Sequence, residues 1–265
     1  MKKYGEILML GKCNQKCFYC LGNEMPKAKL ADYNDVHFMR WTGLGKFINV
    51  LKERGIDEIY LSSTTTEPLL YKYVDELVDF LHERGFKIGI RTNGTIYADV
   101  LKKLDAEISI SINSFDDKNN KCICGRKNNY KKICEILENL RGLNKTVRLS
   151  ILVNKYNVDE IDSILEKLAP YNDVIEYVQL RRWYTLNNTA DNTPYDTCVV
   201  KIKETYPHIG NFYESAIYDV HGTKVSLWND VFDRESVKSV NYFPDGKMSD
   251  YNLLIPIYEN DYKLM

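Results

Sequence analysis

The chain has 265 residues, a net charge of −1 and 28% charged residues. That length holds one barrel-like domain or two smaller ones and can bury a large core, while the balanced charge supplies no basic field for nucleic acid. Seven cysteines without a signal peptide, and no apolar run of membrane-spanning length, predict a soluble cytoplasmic protein whose thiols stay reduced and serve metals.

Residues 4–10 read as a strand that ends in the apolar run from Ile7 to Leu10. The loop behind it places Cys13, Cys17 and Cys20 in a Cys-x3-Cys-x2-Cys pattern, with Tyr19 just before the third. Three thiolates so close in sequence can converge on one face of a small cluster, and a four-iron cube held by three cysteines keeps one iron open. Three unrelated buried cysteines, or structural zinc with a fourth ligand from elsewhere, are the competing readings. Residues 23–37 are polar and lack a period, so they predict irregular structure over the loop. Helical spacing then covers 41–54, through Leu44, Phe47, Ile48 and Leu51, with Gly55 as the stop. Residues 59–61 form a short strand, 69–84 a helix ending at Gly85, and 87–91 a strand. A helix over 96–104, a strand over 108–112 and a helix over 130–140 follow. The series continues with a strand over 146–153, a helix over 158–168 and a strand over 174–180.

Repeated strand–helix units of this length imply a parallel α/β sheet, because parallel neighbours need crossover helices. The pattern leaves open a doubly wound sheet or part of a β/α barrel. In either, ligands sit at the C-terminal strand ends, where the polar residues of this chain gather. Ser62 to Thr66, then Glu67 and Pro68, follow the second strand. Arg91-Thr92-Asn93-Gly94 closes the third. Ser109, Ser111 and Asn113 share one face of the fourth. Asn154 ends the fifth, and Arg181, Arg182, Trp183 and Tyr184 end the sixth. As local features, the Ser/Thr run can cap a helix, Asn154 can open a turn and the arginines can lie on the surface. An arginine aimed inward would bind carboxylate or phosphate through its planar fork, and Trp183 or Tyr184 could stack on a ring.

The cysteine motif with Tyr19 resembles the signature of the radical S-adenosylmethionine (radical SAM) superfamily. The resemblance covers roughly residues 7–184 and implies an incomplete barrel of six β/α units. It implies a [4Fe–4S] cluster on Cys13, Cys17 and Cys20, and S-adenosylmethionine at the open iron. Glu67 and Pro68 stand where the family has Gly-Gly-Glu-Pro, with Thr65 and Thr66 in place of glycines; Glu67 then accepts from the cofactor's ammonium. Asn93 lies in a family-like Thr-Asn-Gly turn. The Ser111–Asn113 strand resembles the branch of the molybdenum-cofactor cyclase and peptide-maturing enzymes, where Ser111 approaches the methionine moiety and Asn113 replaces an aspartate. Asn154 and the start of the next helix resemble the same branch. Tyr19, Thr65, Thr66, Glu67, Asn93, Ser111, Asn113, Asn154 and Arg181 form the expected cofactor-binding set.

Cys122 and Cys124 fall on the loop after the fourth strand, and Cys124 is a candidate hydrogen-atom donor to a substrate radical. Cys134 reads as core, and residues 199–265 carry no cysteine for an auxiliary cluster. Residues 1–184 are the expected core, and 185–265 a β-rich extension covering the barrel's open side. Within the extension, 187–194 reads as a linker or lid, and 216–220, 224–228 and 253–258 as strands. The implied activity is hydrogen abstraction from a polar small molecule or nucleotide, with an electron donor such as flavodoxin or ferredoxin. A ribosomally made peptide is the alternative substrate, and a non-catalytic iron–sulfur sensor the alternative class. Neither nucleic acid nor membrane is an expected partner.

Overall fold

Segments rich in Ile, Leu and Val form a run of parallel strands: β1 (Tyr4–Met9), β2 (Glu58–Ser63), β3 (Lys87–Thr92), β4 (Ile108–Ile112), β5 (Val147–Leu152) and β6 (Ile175–Arg181). Between them lie α1 (Leu44–Glu53), α2 (Val74–His82), the single turn α3 (Val100–Lys103), α4 (Asp117–Cys124) followed by α5 (Tyr130–Leu140), and α6 (Ile161–Leu168). The computed structural model describes residues 3–24, 31–63, 65–185, 189–212, 215–228 and 239–250.

Helix–sheet packing follows from two periods. Leu44, Phe47, Ile48 and Leu51 of α1, and Ile133, Ile136, Leu137 and Leu140 of α5, recur every three to four residues and are buried. Ile7, Ile59, Ile88, Ile90, Ile110, Leu149 and Val178 meet such stripes from alternate strand positions and are wholly buried. The intervening residues face the other way, and the register carries a polar surface across the strands. Glu6 lies beside Tyr60, Arg91 beside Ser109, Ser109 beside Arg148, and Ser150 beside Gln179. That polar face is the lumen of the partial barrel.

After β6 the chain adds strands at both margins. Helix α7 (Thr193–Thr205) leads into β7 (His208–Phe212), β8 (Ser215–Val220) and β9 (Thr223–Trp228), and β9 pairs parallel with β6. At the other margin β10 (Ser239–Tyr242) pairs parallel with β1, and β11 (Met248–Ser249) turns back on it. The order is β11-β10-β1-β2-β3-β4-β5-β6-β9-β8-β7, an open sheet. The α/β partial-barrel expectation is met. Tyr242 anchors the added margin: its ring stacks on Phe47 at 5.0 Å and its hydroxyl donates to Thr42 O at 2.9 Å.

Several local expectations need correction. Cys122 and Cys124 sit on helix α4 and not on a loop, because Asp116 caps the Asn119 N–H at 2.8 Å and Gly125 ends the helix in the left-handed region. The helix expected over 96–104 shrinks to α3. Pro68–Leu70 forms a separate 3-10 turn before α2. Residues 193–194, placed in a linker, open α7 with proline in its first turn. The strand expected over 253–258, Thr64, and residues 25–30 and 186–188 lie outside the described residues.

Candidate cofactor site at the strand ends

Just past β1, a Cβ at Gly11 would stand 2.5 Å from Asn34 Oδ1, so any larger residue there would have to displace the Asn34 side chain. Cys13 is exposed, Cys17 and Cys20 are half-buried, and all three are free thiols. Lys16 N donates to Cys124 O at 2.9 Å and Phe18 N to Ile123 O at 3.0 Å. Those carbonyls end α4 and lack helical partners. The loop therefore caps the helix, and the helix fixes the loop on both sides of Cys17.

Burial, together with the charges of Glu67 and Cys20, pushes the Cys13 thiol up, and burial pushes Cys20 up. Cys17 is raised first by its hydrogen bond with the Cys124 side chain, then by burial and the charges of Cys124 and Cys20. The same contact lowers Cys124, so the two ionise as a pair, one thiolate at a time. Thiols that oppose one another's ionisation gain most from a cationic group bound among them. Among the described residues, no three Cys, His, Asp or Glu side chains gather around a point that suits a single ion. A cuboidal cluster spreads its ligands over separate corners, and three free sulfur donors on one loop fit it.

Thr65 and Thr66 replace the glycines of the family motif without strain, since neither takes a positive φ. Their hydroxyls bind the root of the cysteine loop. Gly11 N donates to Thr65 Oγ1 at 3.2 Å, and Thr66 Oγ1 donates to Lys12 O at 3.1 Å and bonds Asn34 Oδ1 at 3.0 Å. Glu67 is 2% exposed. Its carboxylate accepts from Leu69 N (3.2 Å), Thr92 Oγ1 (2.5 Å) and Asn93 N (2.7 Å). Burial outweighs these bonds and pushes its pKa up to about 7. Asn93 also reaches the loop, donating through Nδ2 to Asn14 Oδ1 at 2.8 Å.

On β4, Ser111 is half-buried, and its hydroxyl has no partner among the described residues. Asn113 Oδ1 accepts from the Tyr19 hydroxyl, and burial holds that phenol well above its ordinary range. Asn154 is 3% exposed and closes a turn, donating to Leu152 O at 3.0 Å and accepting from Tyr156 N at 3.0 Å. Beside it lies Asn157, wholly buried and outside the expected set. Asn157 Nδ2 donates to Asn113 O (2.7 Å) and Leu152 O (3.0 Å), and its Oδ1 accepts from Asn154 N (2.8 Å). Asn14 and Asn34 carry no sequence motif of their own; only the fold brings them to the site. Cys124 is wholly buried beside Cys17, with Sγ 3.2 Å from Asn120 O, whereas Cys122 is exposed.

Three arginines face the lumen. Arg91 pairs with Glu6, and Arg148 pairs with Glu107 at 3.0 Å and donates to Gln179 at 2.8 Å. Arg181 is exposed to the lumen, with no ion pair or hydrogen bond of its side chain among the described residues. Enclosure by the walls, then the charges of Arg148 and Arg91, lower its pKa to about 10. Arg182 turns away to Asp196 on α7, at 3.6 Å. Trp183 packs edge-on against Phe18 of the cysteine loop, with ring centroids 5.1 Å apart.

A sequence model of the Radical SAM superfamily matches residues 7–168. The chain is 27% identical over 204 residues to an S-adenosylmethionine-dependent nucleotide dehydratase of a Thermoplasmatales archaeon (strain ISO4-H5), covering 75% of this chain and 68% of that one. It is 23% identical over 185 residues to the GTP 3′,8-cyclase of Clostridium botulinum, covering 67% of this chain and 56% of the relative. In fold it is similar to Streptococcus suis SuiB bound to S-adenosylmethionine, with a TM-score of 0.67 at 11% identity, covering 99% of this chain and 63% of that one.

Proposed function

Because this chain belongs to the radical SAM superfamily, an enzyme family that uses a [4Fe–4S] cluster and S-adenosylmethionine, we propose that its substrate is a phosphorylated small molecule of the nucleotide class. When bound, the cluster and S-adenosylmethionine supply a 5′-deoxyadenosyl radical that takes hydrogen from an unactivated C–H bond.

In this reading Cys13, Cys17 and Cys20 hold the cluster, with Thr65 and Thr66 fixing the root of their loop. Glu67 and Asn93 receive the cofactor's ammonium end, the carboxylate through lone pairs that its three present donors leave free. Ser111 offers to the methionine moiety a hydroxyl that has no partner among the described residues. Tyr19 orients Asn113, and Asn154 shapes the neighbouring turn. An electron donor of the flavodoxin or ferredoxin kind supplies the reducing electron.

The observation that carries the substrate class is Arg181. Two lumen arginines already have carboxylates, Glu6 and Glu107, and the third has none among the described residues. An anionic group offsets that charge with bidentate geometry. The names of the nucleotide dehydratase and the GTP cyclase point the same way. A peptide substrate draws support from likeness of fold to SuiB bound to its precursor peptide and to anSMEcpe with bound peptides, each at 11–13% identity.

The test is anaerobic reconstitution followed by dithionite, S-adenosylmethionine and a panel of nucleoside triphosphates beside the matching nucleosides. Triphosphates are expected to stimulate 5′-deoxyadenosine formation, nucleosides far less, and Arg181→Met to lose the difference. Equal stimulation by nucleosides, or stimulation by peptides alone, overturns the reading.

A further inference from the structure

Trp228 is the strand neighbour of Arg181. Across β6 and β9 the register pairs Gln179 with Ser226 and Arg181 with Trp228. Paired residues of adjacent parallel strands point to the same side and stand about 4.8 Å apart. Trp228 therefore stands on the lumen wall beside the guanidinium.

The layer beneath this pair is closed. Ser150, Gln179 and Ser226 lie side by side across β5, β6 and β9, and all three are buried, Ser226 wholly. Two residues further along each strand come Leu152, Arg181 and Trp228; Arg181 is exposed and the other two are partly exposed. The buried row is a floor, and the row above it is the first surface that a ligand in this part of the lumen can touch. The indole of Trp228 meets no other ring, no cation and no hydrogen-bond partner among the described residues. Trp183, a candidate for ring stacking by sequence, is instead taken up by Phe18 at 5.1 Å.

We propose that Trp228 is the base platform of the substrate site, stacking on the nucleobase while Arg181 takes the phosphates. The inference rests on the nucleotide reading above and assigns the other end of that substrate. An indole presents a wide, rigid face, and every base has a π-face to lay on it, so such a platform reads the presence of a base more than its identity. Ser111, assigned to the methionine moiety, is separated from Trp228 by β5 and β6. A base on the indole thus lies clear of the place given to the cofactor.

The test is anaerobic calorimetric titration of the reconstituted protein, with S-adenosylmethionine present, against the four ribonucleoside triphosphates and against inorganic tripolyphosphate. The variants are Trp228→Ala, Trp228→Leu and Trp228→Phe. Wild type is expected to bind its best nucleotide about tenfold or more tighter than tripolyphosphate, the size of one stacked base. Trp228→Ala and Trp228→Leu are expected to lose that margin and to keep the tripolyphosphate affinity, whereas Trp228→Phe retains most of the margin. A margin that survives in Trp228→Ala overturns the inference. So does one that survives in Trp228→Leu, because apolar bulk would then suffice without a ring. Equal loss of nucleotide and tripolyphosphate affinity in Trp228→Leu also overturns it, since the indole would then support the fold and not the base. A wild-type protein that binds neither ligand overturns the nucleotide reading instead, so the two failures are told apart before any variant is compared.

Discussion

Glu67 accepts the backbone N–H of Asn93 at 2.7 Å, which ties the turn after β2 to the end of β3 through a carboxylate shielded from water. The same oxygens face the region where Cys13 sits, and the Glu67 charge helps keep that thiol protonated. One buried acid thus helps to build the turn and to set the charge of the cofactor site.

This gives a pH dependence with a definite sign. Burial raises Glu67 from an ordinary 4.5 to about 7, so the folded state binds its proton more tightly than the unfolded one. The associated stability is fully present below about pH 4.5 and is lost as pH rises through about 7, up to roughly 3 kcal/mol in all. An ammonium placed on the ionised carboxylate offsets that loss. The rise in unfolding temperature produced by S-adenosylmethionine should therefore grow between pH 6 and pH 8 in calorimetric scans. Protection that stays level across this range, and is unchanged in Glu67→Gln, would remove Glu67 from the ammonium role.

Thr66 offers a second measurement. Its hydroxyl bonds both Lys12 O and Asn34 Oδ1 at the root of the cysteine loop. Thr66→Gly restores the family residue but removes those bonds and adds backbone freedom. We expect a loss of about 1–2 kcal/mol in denaturant unfolding and a lower iron content after reconstitution. A variant as stable and as well loaded as wild type would mean that the loop is held without this residue.

Asn157 should matter more to the fold than Asn154 does. It joins the ends of β4 and β5 from a fully buried position, so Asn157→Ala takes its side-chain partner from Asn113 O and Asn154 N and removes one of the two side-chain donors to Leu152 O. A loss of about 2–3 kcal/mol follows. Asn154→Ala gives up a local turn and should cost about 1 kcal/mol. If Asn154 also meets the cofactor, its variant will weaken S-adenosylmethionine binding out of proportion to that loss, which isothermal titration of the reconstituted protein reads directly.

Arg181→Met should leave the unfolding temperature of the free protein unchanged or slightly higher, because it removes a guanidinium set near Arg91 and Arg148. In steady-state kinetics with a triphosphate substrate, the KM should rise at least tenfold, with little change in uncoupled cofactor cleavage. A variant that unfolds several degrees lower would show that Arg181 holds the lumen together.

The strand–helix alternation was legible because Ile, Leu and Val repeat with periods of two and of three to four, and the cysteines because their spacing is local. Helix α4 was not: only Asn120, Ile123 and Cys124 on it are buried, so it offers no apolar stripe. Its sequence signals were a cap at Asp116 and a stop at Gly125. Helix α7 announced itself through Pro194, with Tyr195, Cys198 and Ile202 as its buried side, but the polar residues before it read as loop. Asn14 and Asn34 were beyond sequence reasoning for another reason. Each works through a partner far away in the chain, and an asparagine in a turn looks the same whether or not it reaches one.

The pairing of Tyr4 with Ser239 and of Glu6 with Asn241 puts β10 directly beside β1. On a ribosome, β1 and the cysteine loop emerge well before β10 does. The strand that leads into the three thiols therefore waits with one open edge until residues 239–242 have emerged, a long-range closure of the kind that folds slowly. A chain stopped before residue 239 would hold the three cysteines and Glu67 yet present that edge to other chains. Metal loading of a finished sheet thus follows the synthesis of β10, and products truncated before it should accumulate as aggregates free of iron.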